Sequence, residues 1–90
     1  MGYSEMARDR NHLTQLTVFN AARRIRGANV RLFIVAGLLA REDVSGHTDH
    51  NGVARIAHHH TGFANIWVNG RRVERHVKVP CERTVYLDYR

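Results

Sequence analysis

The sequence predicts an all-β fold: a small antiparallel sandwich of six to seven strands with Greek-key connections. Three observations carry this. Apolar and polar residues alternate over short stretches rich in Val, Ile and Phe, which is the period of extended backbone. Turn chemistry punctuates those stretches, most clearly at Asn51-Gly52 and Asn69-Gly70. Ninety residues make one domain with a modest core, so the apolar sides of two small sheets must cover each other.

The first twelve residues carry mixed charge without periodicity, so a flexible arm is expected over 1–12 and the folded domain over 13–90. Leu16, Val18 and Asn20 alternate with Thr17 and Phe19, which predicts a strand at about 13–20. Residues 21–27 form a connection crowded with Arg23, Arg24 and Arg26, with Gly27 at a turn or bulge. Over 29–36, Val30, Leu32 and Ile34 share one face and Arg31, Phe33 and Val35 the other, as in a central strand. A helix over 21–42 competes for this region. Gly27 and the β-branched cluster Val30, Ile34 and Val35 oppose it.

Gly37 breaks the run, and Leu38-Leu39-Ala40 with Val44 form a third strand or an ordered loop. The stretch Thr48-Asp49-His50-Asn51-Gly52 reads as a tight turn that organises the chain around it. Asn51-Gly52 tolerates the positive φ of a primed hairpin turn, and the Asp49 carboxylate accepts from backbone N–H groups just ahead of it. A short strand follows at 53–57, with Ala54 and Ile56 on one face, and His58-His59-His60 makes a polar link. Phe63 to Val68, Asn69-Gly70 and Arg71 to Val79 carry the strongest hairpin signal of the chain. On its return arm Val73, Val77 and Val79 share a face with Arg75, and Arg72, Glu74, His76 and Lys78 face water. Pro80 ends that arm. In the last strand Val85, Leu87 and Tyr89 share a face.

This succession resembles the carboxypeptidase regulatory-like and transthyretin-like (prealbumin-like) domains. The carriers are Leu16-Thr17-Val18-Phe19-Asn20, Gly27-Ala28-Asn29-Val30-Arg31-Leu32, Thr48-Asp49-His50-Asn51-Gly52-Val53-Ala54, and the hairpin from Ile66 to Gly70. The resemblance spans roughly Leu13 to Tyr89. It implies a prealbumin-like or Ig-like sandwich acting as a non-catalytic accessory module. One transthyretin-like branch consists of 5-hydroxyisourate hydrolases. This chain has Thr17 where that branch places a first-strand histidine, Val53 where it places an arginine after the turn glycine, and Lys78 in place of the second histidine of its H-x-H-V-P segment. Tyr89-Arg90 matches the start of its YRGS ending. The resemblance therefore does not carry the hydrolase activity to this chain.

Charge narrows the function classes less than it narrows partners. The net charge is +6, and thirteen of the fourteen basic residues are arginine. Either the coding genome favours arginine and the charge serves solubility, or the forks form a phosphate-binding surface. Arg71, Arg72, Arg75 and Lys78 on the late hairpin are the candidate binding residues, with Arg23, Arg24 and Arg26 as an additional basic group. Trp67 and Tyr86 are candidate rings for stacking single-stranded nucleic acid.

Seven histidines raise a metal question. His47, His50, His58 and His60 are candidates for a divalent site, because imidazole suits Zn, Ni or Cu. Their spacing matches no zinc template, so no metal is expected. Cys81 beside Arg83 is a candidate thiolate without an identifiable base. There is no Gly-rich phosphate loop and no carboxylate pair, and no cofactor is expected. The single cysteine rules out an internal disulfide and fits a reducing, cytoplasmic setting. No apolar run approaches the ~20 residues of a membrane span, and residues 1–12 lack the apolar core of a signal peptide.

The reading that fits best is a non-enzymatic interaction module that binds a protein partner or a second copy of itself. The alternatives are a basic nucleic-acid or anion binder and a diverged transthyretin-like hydrolase.

Overall fold

In the computed structural model, which describes residues 12–87, eight strands form two four-stranded sheets. They are β1 (His12–Asn20), β2 (Arg23–Arg24), β3 (Asn29–Ala36), β4 (Ala40–His47), β5 (Val53–His58), β6 (Gly62–Val68), β7 (Arg71–Val79) and β8 (Glu82–Tyr86). The first sheet is built on β1, and the second runs in the order β4-β3-β6-β7. The arm expected over 1–12 lies outside the described residues except for His12, which opens β1. No helix occurs among the described residues, so none is long and apolar enough to cross a membrane.

Alternation makes the core. Leu16 and Val18 of β1, Ala54 and Ile56 of β5, and Val85 of β8 point inward from the first sheet. Val30, Leu32 and Ile34 of β3, Ala64, Ile66 and Val68 of β6, and Val77 and Val79 of β7 point inward from the second. All belong to one continuous apolar cluster, so the two sheets face each other. Completely burying one of these Val, Leu or Ile side chains contributes roughly 1.5–3 kcal/mol. That gain stabilises a sandwich whose sheets would each expose an apolar face if separated.

The predicted strands at 13–20, 29–36, 53–57 and the 63–79 hairpin all form, each within a residue or two of its expected bounds. Several details differ. The stretch expected as a third strand or an ordered loop, Leu38-Leu39-Ala40 with Val44, divides between a turn and a strand. Gly37, Leu38 and Leu39 make the turn, and β4 is an eight-residue strand paired with β3 throughout. Its sequence, AREDVSGH, lacks an apolar stripe because it is an edge strand, and pairing with β3 supplies what composition does not. The basic connection contains β2, which raises the strand count to eight. His58 belongs to β5, and its side chain is buried.

The sandwich also holds one parallel pair. β1 is antiparallel to β5 but parallel to β8, with Gln15 opposite Glu82 and Phe19 opposite Tyr86. Along its other edge β1 pairs β5 and then, past Thr17, β2. The chain crosses between the sheets on entering β3, β5, β6 and β8, and the β1–β2, β3–β4 and β6–β7 steps stay within one sheet.

The return arm of the late hairpin departs from simple alternation. Ala64 pairs Val77, Ile66 pairs Glu74 and Trp67 pairs Arg72, so β7 carries two extra residues against β6. Val77 and Val79 are buried as expected, whereas Val73 and Glu74 are both half-buried and Arg75 is exposed. His76 sits in this irregular stretch at φ 58°. Tyr89, expected to share the face of Val85 and Leu87, lies outside the described residues.

Candidate functional site: the outer face of the antiparallel sheet

The turn that organises the chain is engaged in holding it together. The Thr48 hydroxyl donates to the Ile25 carbonyl at 2.6 Å and accepts the Ala28 N–H at 2.9 Å. The Thr48 backbone is joined to Gly27 and Ala28 by two further hydrogen bonds. The Asp49 carboxylate accepts the N–H groups of Asn51 at 2.8 Å and Val53 at 3.0 Å, and Arg55 donates to it at 3.1 Å. The Val53 N–H holds the Asp49 carboxyl below its usual range, and the Asn51 N–H and the Arg55 side chain help to outweigh a smaller upward push from burial. Asp49 therefore shapes the turn. Gly52 alone takes positive φ, 77°, and accepts Val18 N–H through its carbonyl. This is a β-turn followed by a left-handed glycine, not the primed two-residue turn that Asn51-Gly52 suggested. Asn69 and Gly70 both have positive φ, as a primed turn requires.

The candidate metal histidines fall into two groups at opposite ends of the strands. His47 ends β4 and His50 lies in the turn, whereas His58 ends β5 and His60 follows it. His60 donates to Glu42 near the start of β4, roughly 17 Å along that strand from His47. His58 is a core residue. Both of its ring nitrogens are engaged, Nδ1 with the His60 carbonyl at 2.8 Å and Nε2 with the Thr14 hydroxyl at 2.8 Å. Among the described residues, no three His, Cys, Asp or Glu side chains are grouped to hold a metal.

Glu42 is a clasp at this end. Its carboxylate accepts the N–H of His59 and of His60 and the ring N–H of His60, at 2.9 to 3.0 Å. Burial pushes its carboxyl up, but the His59 N–H, the two His60 bonds and the His59 charge outweigh it and leave the group below its usual range. Burial also pushes the Cys81 thiol up, against a smaller opposing effect of Arg83, so this residue is not an activated nucleophile.

The outer face of the β4-β3-β6-β7 sheet is the candidate surface. Its register sets side chains in rows across the four strands. One row is Arg41, Val35, Phe63 and Lys78. The next holds Asp43, Phe33 and Asn65 beside the bulged His76. A third holds Ser45, Arg31, Trp67 and Arg72. The middle of the face is thus apolar and aromatic, and its flanks are mostly cationic. Phe63 is 43% exposed. A hollow of about 350 Å³ lies over the middle, lined by Phe33, Val35, Gly37, Phe63, Asn65 and His76.

Several contacts fix this face. The His76 ring stacks on Phe63 with centroids 4.2 Å apart and planes 4° apart. Asn65 Oδ1 accepts the His76 N–H at 3.2 Å, which supports a backbone conformation uncommon outside glycine. Arg31 forms a bidentate pair with Asp43, 2.8 and 2.7 Å, and its guanidinium lies 4.9 Å from the Trp67 ring centroid. The Arg31 bond holds the Asp43 carboxyl below its usual range. The one carboxylate of these rows is therefore already neutralised.

Of the candidate binding residues, Arg72 and Lys78 lie on this face opposite Trp67 and Phe63. Arg75 lines a second hollow, of about 410 Å³, with Arg72, Val73 and Glu74. Arg71 pairs Val68 at the start of β7. Of the early arginines, Arg23 and Arg24 lie on the other sheet and Arg26 in the connection after it; Arg24 bonds the Asn51 carbonyl at 3.2 Å and covers Phe19 at 5.4 Å. Trp67 and Tyr86 also belong to different sheets and face opposite sides of the sandwich, with Tyr86 stacked on Phe19 at 5.8 Å. Sequence reasoning missed Arg41, Val35, Phe33 and Asn65 as parts of a site. The Asn65–His76 bond depends on a bulge, and the row depends on register between strands distant in sequence; neither leaves a local signal.

No family model matches the chain, and neither a curated protein nor a solved structure matches it.

Proposed function

We propose that this chain is a non-enzymatic β-sandwich module that binds a protein partner through the outer face of its β4-β3-β6-β7 sheet. The observation that carries the reading is the row of Arg41, Val35, Phe63 and Lys78, an apolar centre between two cations on a rigid sheet. Exposed aromatic surface with a charged rim is the usual anatomy of a protein-binding patch. Polar groups elsewhere are engaged in the fold: Asp49 and Thr48 in the turn, Glu42 in its clasp, His58 in the core. Kinship with carboxypeptidase regulatory-like and transthyretin-like domains is part of the proposal. It is supported by the meeting in space of two of the stretches that carry the resemblance, since Thr48 is bonded to Gly27 and Ala28. Two of the three positions that would distinguish the hydrolase branch, Thr17 and Val53, pair with each other and bring no titratable group.

The test is a comparison of the wild type with Phe63→Glu by affinity capture, with circular dichroism on both. Phe63→Glu folds normally, and the partner held by the wild type is lost. Identical capture by both proteins refutes this face as the binding surface. Light scattering across a concentration series tests whether the partner is a second copy, which then also depends on Phe63. With 5-hydroxyisourate as substrate, no turnover is expected.

Nucleic-acid binding is the second reading, favoured by the net charge of +6. It requires binding that tightens steeply at low salt. The candidate rings weaken it, because Trp67 and Tyr86 point to opposite sides.

A further inference from the structure

The register of the open face specifies what kind of segment fits across it. Arg41 on β4 and Lys78 on β7 are the two ends of one row, separated by the two central strands. Neighbouring strands lie about 4.8 Å apart, so the two cations stand on backbones roughly 14 Å apart. Val35 and Phe63 lie between them, beside the hollow of about 350 Å³. In an extended peptide, side chains on one side recur every two residues, roughly 6.6–6.8 Å, so positions two before and two after a central residue are roughly 13–14 Å apart. The two spacings coincide.

We propose that this face binds an extended segment of a partner protein with an acidic residue, a spacer, an aromatic or large apolar residue, a spacer and a second acidic residue. The segment crosses the strands from β4 to β7. Its central side chain enters the hollow against Phe63 and Val35, and its carboxylates meet Arg41 and Lys78. The inference rests on the protein-binding reading above and specifies its partner.

Charge complementarity selects this occupant. Asp43, the carboxylate on the face, is occupied by both arms of Arg31 and does not neutralise Arg41 or Lys78. Arg41 uses one guanidinium nitrogen, Nη1, to bond the carbonyls of Leu38 and Ala40, which anchors the side chain and leaves the rest of the fork to a carboxylate. Stacked nucleotide bases fit less well, because Phe63 already stacks on His76 and Trp67 lies beneath Arg31.

The experiment uses the whole chain and a fluorescein-labelled peptide, acetyl-Gly-Glu-Ser-Phe-Ser-Glu-Gly-amide, followed by fluorescence anisotropy and by amide chemical shifts. A peptide of the same composition in the order Phe-Glu-Glu-Ser-Ser is the comparison. Saturable binding is expected for the first, about tenfold weaker for the reordered peptide, and about threefold to tenfold weaker for Arg41→Ala or Lys78→Ala. Arg23→Ala, on the other sheet, leaves it unchanged. Both rim variants alter exposed side chains, so their folding is not at issue. Equal affinity for the two peptides, with shifts on β3, β6 and β7, overturns the spacing and leaves the protein-binding face standing. No shift on that face with either peptide overturns the proposal, and Phe63→Glu capture then decides the broader reading separately. Tighter binding of oligo-dT than of the peptide, at the same residues, overturns the proposal in favour of nucleic acid.

Discussion

Replacing Thr48 separates the contribution of its hydroxyl from that of its size. The side chain is buried, and its one oxygen serves two backbone groups: it donates to Ile25 C=O and accepts from Ala28 N–H, on a residue itself buried. Thr48→Val keeps the volume and removes both bonds. Each bond deprived of its partner inside the protein costs about 1–3 kcal/mol, so the pair costs roughly 2–6 kcal/mol. Thr48→Ser keeps both bonds and removes one methyl group, which costs about 0.8 kcal/mol of burial with a small cavity contribution besides. A domain of this size carries on the order of 5–13 kcal/mol of stability, so the valine variant loses a large share of it. Urea unfolding followed by circular dichroism measures both. With a slope of about 1–3 kcal/mol per molar, the valine midpoint falls by at least about 0.7 M, and the serine midpoint by less. A thermal melt of the valine variant drops by about 8 °C or more. If the valine variant is as stable as the serine variant, the two hydrogen bonds do not hold the turn to the connection before β3, and the account of Thr48 as the pin of this fold fails.

Gly62→Ala is expected to be severely destabilising, by several kcal/mol, because a Cβ there meets the backbone carbonyl of Val35, which cannot swing aside as a side chain would. The urea midpoint checks this, and wild-type stability refutes it. Leu38→Ser with Leu39→Ser changes stability by less than about 0.5 kcal/mol, since these side chains are 91% and 94% exposed at the tip of the β3–β4 turn. In acid, stability falls as pH drops. Glu42, Asp43 and Asp49 have folded-state carboxyls below their ordinary 4.5, 3.8 and 3.8, so their contributions are present above those values and are lost as pH falls through the lower folded ones. Urea midpoints between pH 2 and 6 follow this, and Glu42→Gln makes the acid limb shallower. A midpoint that rises on acidification contradicts the sign.

The sequence alone determined that this chain is built of strands, and where most of them lie. Leu16 and Val18, or Val30, Leu32 and Ile34, announce a period of two within a few residues, and Asn69-Gly70 marks its hairpin without reference to anything distant. β4 was only half legible, because an edge strand need not bury a stripe and its residues are held by pairing with β3. His58 read as part of a polar link because its partners, Thr14 and the His60 carbonyl, become visible only when β1 and β5 are side by side. The open face was the least legible feature. Arg41, Val35, Phe63 and Lys78 span 44 positions of sequence and become neighbours only through three cross-strand registers. Local pattern sets which way each side chain points on its own strand. Which side chains then stand beside one another is settled by strand order and bulges, and those follow from closing two sheets on one core.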